Sequence, residues 1–329
     1  SQETCLSLRR ALFARESVMA RPLRLTTLTP LVLLGLALLS IPAPAAEKAA
    51  SRTVVDEVGR SVEVPAQVER IITLAPNLTE MIYALGLEER LVGVTNQCDY
   101  PPAVRAKPRV GDVVKPNLET IIELQPDLVL GTTAGNRRET VALLEEAGIP
   151  LYGVNPHSVE DILRSIRNLA ALAGEPAAGE ALAARLRARL EAVAARLATP
   201  DTPDALFVIW LEPLITAGSD TFLNDVLRRA GARSITARIP QSWPRLSVEE
   251  VIERNPDYLV LPDAHDLRER LARLAAVPPW KNLRAVEQQQ IIWLNEGVLR
   301  PGPRLVDAIE ELARALHPDD FELQAAEER

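Results

Sequence analysis

Glu119 and Glu249 occupy equivalent places in a passage that the chain carries twice, and matched carboxylates are common equipment for acid–base or nucleophilic chemistry. Residues 119–130 read ETIIELQPDLVL and residues 249–260 read EEVIERNPDYLV. Glu123 then matches Glu253, Pro126 matches Pro256 and Asp127 matches Asp257, all at one constant offset. A glycosidase pair needs its carboxyl groups within about 10 Å of each other, and duplicated passages put these two on separate halves, which argues against that use. Cys98 is a second candidate, a nucleophile if His157 lies within hydrogen-bond reach as its base. No third group is placed to orient that histidine, and a lone half-buried cysteine is ordinarily inert. His157, His265 and His317 are the only histidines, scattered over different segments, so they do not form the compact ligand set that a free-metal site needs. His157 reads as a loop residue, His265 as a surface-loop or cleft-rim residue and His317 as a cation at a helix C-terminus. The chain has no G-x-x-x-x-G-K-[ST] loop, which excludes ATP hydrolysis by that device. The expectation is a binder rather than an enzyme, with no catalytic residues, no cofactor and no resident metal.

The elements that must position these side chains alternate between strand and helix. In the first half, 54–64 reads as a hairpin and 70–74 as a strand. Asn77 is expected to cap a helix over 79–85 that Gly86 closes. Strands follow at 91–94, 127–130 and 151–154, with a short helix capped by Asn117 and ended by Pro126, and another over 137–147. The second half repeats the scheme with strands at 205–210, 258–261 and 291–294 and helices at 222–230, 247–254 and 305–316. Ser247 and Glu250 form an S-x-x-E capping box. Such alternation predicts an α/β fold of two similar lobes with central, mostly parallel sheets, and a site between lobes is a common consequence. Between them, 159–198 is helical in composition with a joint at 174–176. Leu182, Leu186, Leu190, Val193 and Leu197 make one apolar stripe along a helix of about 33 Å. A long rigid connector leaves few loop dihedrals to absorb a large hinge motion. The predicted organisation is a leader over 1–45, an N-terminal α/β lobe over 46–157, connecting helices over 158–200, a C-terminal α/β lobe over 201–317 and a tail over 318–329.

Composition narrows the function further. Arg21 and Arg24 precede the apolar run 31–39, and Ala43, Pro44 and Ala45 supply a small-residue cleavage site, so 19–45 reads as a secretory signal peptide cut near Ala45. Pro30 and Pro42 bracket an apolar stretch shorter than the roughly 20 residues that a membrane span needs. Without residues 1–45, which carry five Arg and two Glu, 32 basic and 43 acidic residues remain, a formal charge of -11. That balance argues against nucleic-acid binding, which relies on clustered Lys and Arg. Cys98 is then the only cysteine, so no internal disulfide forms and the fold rests on its core.

Several passages, in order, resemble the periplasmic vitamin B12 binding proteins, within the larger family that captures siderophores, haem and metal chelates for ABC importers. They are RIITLAPNLTEMIYALG at 70–86, LVGVTNQCDYPP at 91–102, RVGDVVKPNLETIIELQPDLVL at 109–130, and 213–231 and 243–261. The likeness runs from about residue 52 to 317. It implies two α/β lobes bridged by a long helix, ligand held in the cleft without chemical change, and a periplasmic location. It also implies a monomer that delivers a corrinoid, or alternatively a ferric siderophore or haem, to a permease in the inner membrane. In that family one acidic residue per lobe enters an arginine pocket of the permease, and the matching positions are Glu119 and Glu249. Each also lies near the start of its helix, where the macrodipole alone favours a carboxylate by about 0.3 to 1 kcal/mol. The ligand residues carried over are Trp243, Glu296 and Arg300 on the C-terminal lobe. On the N-terminal lobe the family's aromatic positions correspond to Gln97, Val113 and Thr132, none aromatic. Trp210, at a strand end beside the expected cleft, is the candidate to compensate, although a tryptophan there also suits the core.

Overall fold

The computed structural model describes residues 50–197 and 202–327. The leader, its cleavage point and the C-terminal end of the predicted connector lie outside the described residues. A hairpin of β1 (Ser51–Val55) and β2 (Ser61–Pro65) precedes the first lobe. That lobe is built from β3 (Ile71–Thr73), α1 (Pro76–Ala84), β4 (Leu91–Val94), α2 (Leu118–Glu123), β5 (Leu128–Thr132), α3 (Arg138–Glu146) and β6 (Leu151–Val154). Its four strands run parallel in the order β4-β3-β5-β6. Two helices follow, α4 (Val159–Leu172) and α5 (Pro176–Arg196). The second lobe comprises β7 (Asp204–Leu211), β8 (Leu214–Thr216), α6 (Phe222–Arg229), β9 (Arg233–Ser234), α7 (Val248–Arg254), β10 (Tyr258–Pro262), α8 (His265–Ala275), α9 (Arg284–Glu287), β11 (Ile291–Leu294) and α10 (Leu305–Leu316). Here β11-β10-β7 are parallel, β9 adds a parallel pair and β8 an antiparallel one. The chain thus has the mixed α/β fold with mostly parallel sheets that its alternation predicts.

Strand periodicity decides where each residue goes, because successive side chains point to opposite faces. In β5, Leu128 and Leu130 enter one core while Val129 enters another; in β7, Ala205 and Phe207 part in the same way from Leu206 and Val208. One core is continuous through both lobes and takes in Leu182, Leu186, Leu190 and Val193 of α5. The 21 residues of α5 span about 32 Å. α4 packs closely on α5 because Gly179 has no side chain: a Cβ there would stand 2.6 Å from the Ala170 Cβ. Arg189 on α5 also bonds Asp307 (2.6 Å) and Glu310 (2.8 Å) on α10. A shared core and a stapled connector resist bending.

The duplicated passage is duplicated in backbone as well. Gln125 and Asn255, the residues before the repeated Pro-Asp, are both left-handed, with φ of 45° and 46°. The Asp127 Oδ2 accepts from the amides of Glu69 and Arg70 (2.8 Å each), and Asp257 Oδ2 accepts from the amide of Asp204 (2.8 Å). Each aspartate therefore ties the start of its own strand to the neighbouring parallel strand. α2 ends at Glu123, and Gln125, for which the following Pro126 disfavours the right-handed helical region, turns left-handed.

Two expectations need correction. Asn77 is not a cap, because Ala75 holds that position, Pro76 opens α1, and the Asn77 side chain instead donates to the Pro301 carbonyl (3.4 Å). His265 is not in a loop but opens α8 and pairs with Glu269 one turn on. The helix α8 itself went unanticipated, since HDLRERLARLA is rich in charge and has only Leu267 and Leu271 buried.

Asp225 on α6 supports the entrance to α4. Its carboxylate accepts from the amide of Val159 (3.0 Å) and from Arg229 Nε (2.9 Å), and pairs with Arg228. Burial pushes its pKa up, but the bonds from Arg229, the Val159 amide and Arg228 outweigh that and hold it below the ordinary carboxylate range. A folded-state pKa below the unfolded one contributes stability above the unfolded pKa and loses it as pH falls through the folded value. Asp225→Asn is expected to lower the unfolding free energy by about 2 kcal/mol at pH 7, with the gap to the parent closing as pH falls below about 4. Urea titrations at the two pH values measure both.

Candidate functional site

In parallel α/β sheets the loops at the carboxyl ends of the strands form the ligand crevice. A cavity of about 340 Å³ lies there, lined by Asp99, Tyr100 and Arg105 after β4, Asp263 after β10, and Asn295, Glu296, Gly297, Arg300 and Arg304 after β11. Both lobes contribute, and six of the nine residues carry charge in equal numbers of each sign.

Arginines anchor this cavity to a buried carboxylate. Glu80 on α1, with its side chain 2% exposed, accepts from Arg304 Nε (2.9 Å) and Nη2 (2.6 Å) and from Arg300 Nη1 (3.1 Å). Arg300 also bonds Asp99 through Nη1 to Oδ1 (2.5 Å) and Nη2 to Oδ2 (3.2 Å). That bond is the leading cause holding the Asp99 carboxyl below its usual range. The Arg304 guanidinium lies 4.0 Å from the centre of the Tyr100 ring. Arg300 and Arg304 belong to the second lobe and Glu80, Asp99 and Tyr100 to the first, so this cluster fastens the lobes together. Tyr100 remains 44% exposed and gives the first lobe an aromatic wall in the cavity. Sequence reasoning passed over Tyr100, although it stands inside the quoted NQCDYPP passage.

The residues predicted to hold ligand are distributed over more than one surface. Glu296 and Arg300 line the interlobe cavity, Arg300 half-buried and Glu296 exposed and without an ionic or hydrogen-bond partner among the described residues. Gln97, Val113 and Thr132 are joined through one network. Gln97 donates to Asp112 (3.1 Å) and accepts from the Val113 amide (3.3 Å), while Asn136 donates to the Val113 carbonyl (2.7 Å) and accepts from the Thr132 amide (2.7 Å). Thr132 and Asn136 border a separate cavity of about 470 Å³ lined by residues of the first lobe and of the hairpin before it, among them Arg60, Arg138 and Glu145. The interlobe cavity is the better candidate despite its smaller volume, because both halves build it and charged groups converge on it.

Trp243 is half-exposed on a segment pinned beside β8, where the amides of Thr216 and Gly218 donate to the carbonyls of Pro244 (3.1 Å) and Ser242 (3.0 Å). Only glycine fits at 218, since a Cβ would meet the Gln241 carbonyl oxygen at 1.8 Å. Trp210 packs against the second lobe's own core, donates its indole N–H to the Glu212 carbonyl (3.0 Å) and lies under the Arg270 guanidinium at 5.0 Å.

Glu119 and Glu249 are both exposed at the second position of their helices. Asn117 caps the first helix through the Thr120 amide (3.2 Å) and Ser247 caps the second through the Glu250 amide (3.2 Å). Glu250 returns its carboxylate to the Ser247 amide (2.8 Å), a bond that lowers its pKa. Among the described residues, neither Glu119 nor Glu249 has an ion pair or side-chain hydrogen bond of its own. Two carboxylates in equivalent settings thus stay uncommitted while a neighbour does the capping.

Nothing at Cys98 activates a thiol. It is buried, with Sγ 3.1 Å from Thr79 Oγ1 and 3.2 Å from Thr95 Oγ1, and His157 instead faces Asp220. Among the described residues, no three His, Cys, Asp or Glu side chains converge as a metal site, and no helix is long and apolar enough to cross a membrane.

A family model described as periplasmic binding protein matches residues 71–297. The vitamin B12-binding protein of Vibrio parahaemolyticus is 32% identical over 247 residues, 74% of this chain and 88% of that protein. Among solved structures, the periplasmic heme-binding protein RhuT from Roseiflexus sp. RS-1 in apo form is 31% identical, with a TM-score of 0.69, over 77% of this chain and 99% of that one. The periplasmic vitamin B12 binding protein BtuF of Vibrio cholerae is 29% identical, with a TM-score of 0.65, over 76% of this chain and 96% of that one.

Proposed function

The chain belongs to the periplasmic binding protein family, and we propose that it is the substrate-binding subunit of an ABC importer that captures a corrinoid in the cavity between its lobes. The observation that carries this reading is the cavity itself: it sits at the carboxyl ends of β4, β10 and β11, draws residues from both lobes, and balances its charges. A corrinoid bears many neutral amide side chains around a large ring. Polar, charge-balanced walls suit such an edge, and exposed aromatic rings such as Tyr100 and Trp243 suit the ring face. Of the residues expected to hold ligand, Glu296 and Arg300 line this cavity; Gln97, Val113, Thr132 and Trp210 stand outside its lining, and in this proposal they meet only the parts of the ligand that extend beyond it. In this reading the ligand leaves unchanged, and the protein works in the periplasm as a monomer. Delivery to an inner-membrane permease runs through Glu119 and Glu249.

Haem or a ferric siderophore is the second reading, favoured by the likeness to the Roseiflexus haem binder and by the three arginines of the cavity. Calorimetric titration with cyanocobalamin, haemin and a ferric siderophore separates the two. Saturable binding of cyanocobalamin at 1:1 is expected, and flat heats with all three ligands would sink the proposal. Trp243→Ala is expected to weaken cyanocobalamin binding by about tenfold, the size of one lost aromatic contact with its buried area. An unchanged affinity would remove Trp243 from the site.

A further inference from the structure

We propose that Asp99 sets the charge selectivity of the cavity by occupying the guanidinium face of Arg300 that a ligand carboxylate would otherwise take. The inference rests on the reading that the interlobe cavity is the ligand site. Arg300 has two carboxylate partners of opposite character. Glu80 is 2% exposed and shared with Arg304, so it is a fixed part of the fold. The Asp99 side chain is 64% exposed, and Arg300 is its one side-chain partner among the described residues. Asp99 takes the outer side of the guanidinium through two donors, Nη1 and Nη2, the geometry that an incoming carboxylate would itself adopt. It comes from the loop that also carries Tyr100, which covers Arg304.

With Asp99 in place the charges around the cavity are matched. Two carboxylates answer the two guanidinium groups of Arg300 and Arg304, Asp263 is paired with Arg268, and Arg105 and Glu296 face the space with opposite signs. A ligand carboxylate must displace Asp99 to reach Arg300, exchanging one charge-assisted bond for another with no net gain, and it leaves an extra negative charge in the site. An amide-bearing ligand meets no such exchange. Asp99 therefore favours neutral ligands over acidic ones of the same shape.

The test compares parent, Asp99→Asn and Asp99→Glu in calorimetric titrations with cyanocobalamin, the monocarboxylic acids made from it by hydrolysing single side-chain amides, and haemin. Asp99→Asn keeps the side-chain shape while freeing Arg300 from its charged partner. It is expected to raise the affinity for at least one monocarboxylic acid, and for haemin where the parent binds it, by roughly tenfold relative to the same variant's affinity for cyanocobalamin. Asp99→Glu restores a carboxylate and should return the parent's order of preference. Equal changes for neutral and acidic ligands, or weaker binding of all, would mean that Asp99 merely shapes its loop, and the inference falls while the binding function stands. If the parent binds neither corrinoids nor haemin, the proposed function fails first and the inference goes with it. Thermal melts of the variants guard against misfolding.

Discussion

Reversing Glu119 and Glu249 to Lys together is expected to abolish delivery of ligand to the permease, while affinity for ligand in solution stays within twofold. Each carboxylate is exposed, uncommitted among the described residues and backed by a helix start capped by a different side chain. Removing either from the free protein gives up only the macrodipole contribution, about 0.3 to 1 kcal/mol. Losing one half of a desolvated interfacial ion pair costs about 2 to 5 kcal/mol, so two losses amount to at least several hundredfold in docking affinity. The readouts are ligand uptake by cells carrying the importer and ligand-stimulated ATP hydrolysis by the purified permease. Should ligand affinity fall instead, with docking intact, these carboxylates would belong to the pocket and the delivery mechanism would need another surface. The single reversals each carry part of the loss, because the repeated passages present two separate contacts.

The second large effect is expected at Glu80. Glu80→Ala leaves Arg300 and Arg304, both about one-fifth exposed, without the carboxylate that accepts three of their hydrogen bonds. Removing one partner of a buried charge cluster typically costs about 3 to 5 kcal/mol, and the partial solvent access of the two arginines places the expected loss near 3 kcal/mol. Guanidinium-induced unfolding measures it directly. A loss under about 1 kcal/mol would show that water replaces the carboxylate at no great cost, and that the lobes hold together through the shared core alone. Arg304→Ala is expected to be milder, since Glu80 keeps its bond from Arg300.

The candidate site was only partly legible beforehand. Glu119 and Glu249 could be found from the repeat, and the capping residues beside them follow from chemistry within one helical turn. Glu296 and Arg300 follow only from the family resemblance, and both line the cavity after β11, where α/β proteins place ligand contacts. Tyr100 and Asp99 are not legible in this way, because an aromatic before proline and the aspartate beside it carry no local mark of exposure. Asn77 was misread for a related reason: its side chain can cap a helix or reach across lobes, and only the position of Pro301 decides between them.

By itself the sequence determined most of the elements and their duplication. Strand and helix periods, the capping box at Ser247 and the apolar stripe of α5 are all written within a few residues of one another, so local chemistry suffices to read them. Only the tertiary structure decided the electrostatics of the cavity. Glu80 meets Arg300 across 220 residues of chain and Asp99 meets it across 201. Whether one carboxylate is buried and fixed while the other is exposed and replaceable depends on how the two sheets and the connector pack, and burial of a charge is a property of its surroundings rather than of its neighbours in sequence.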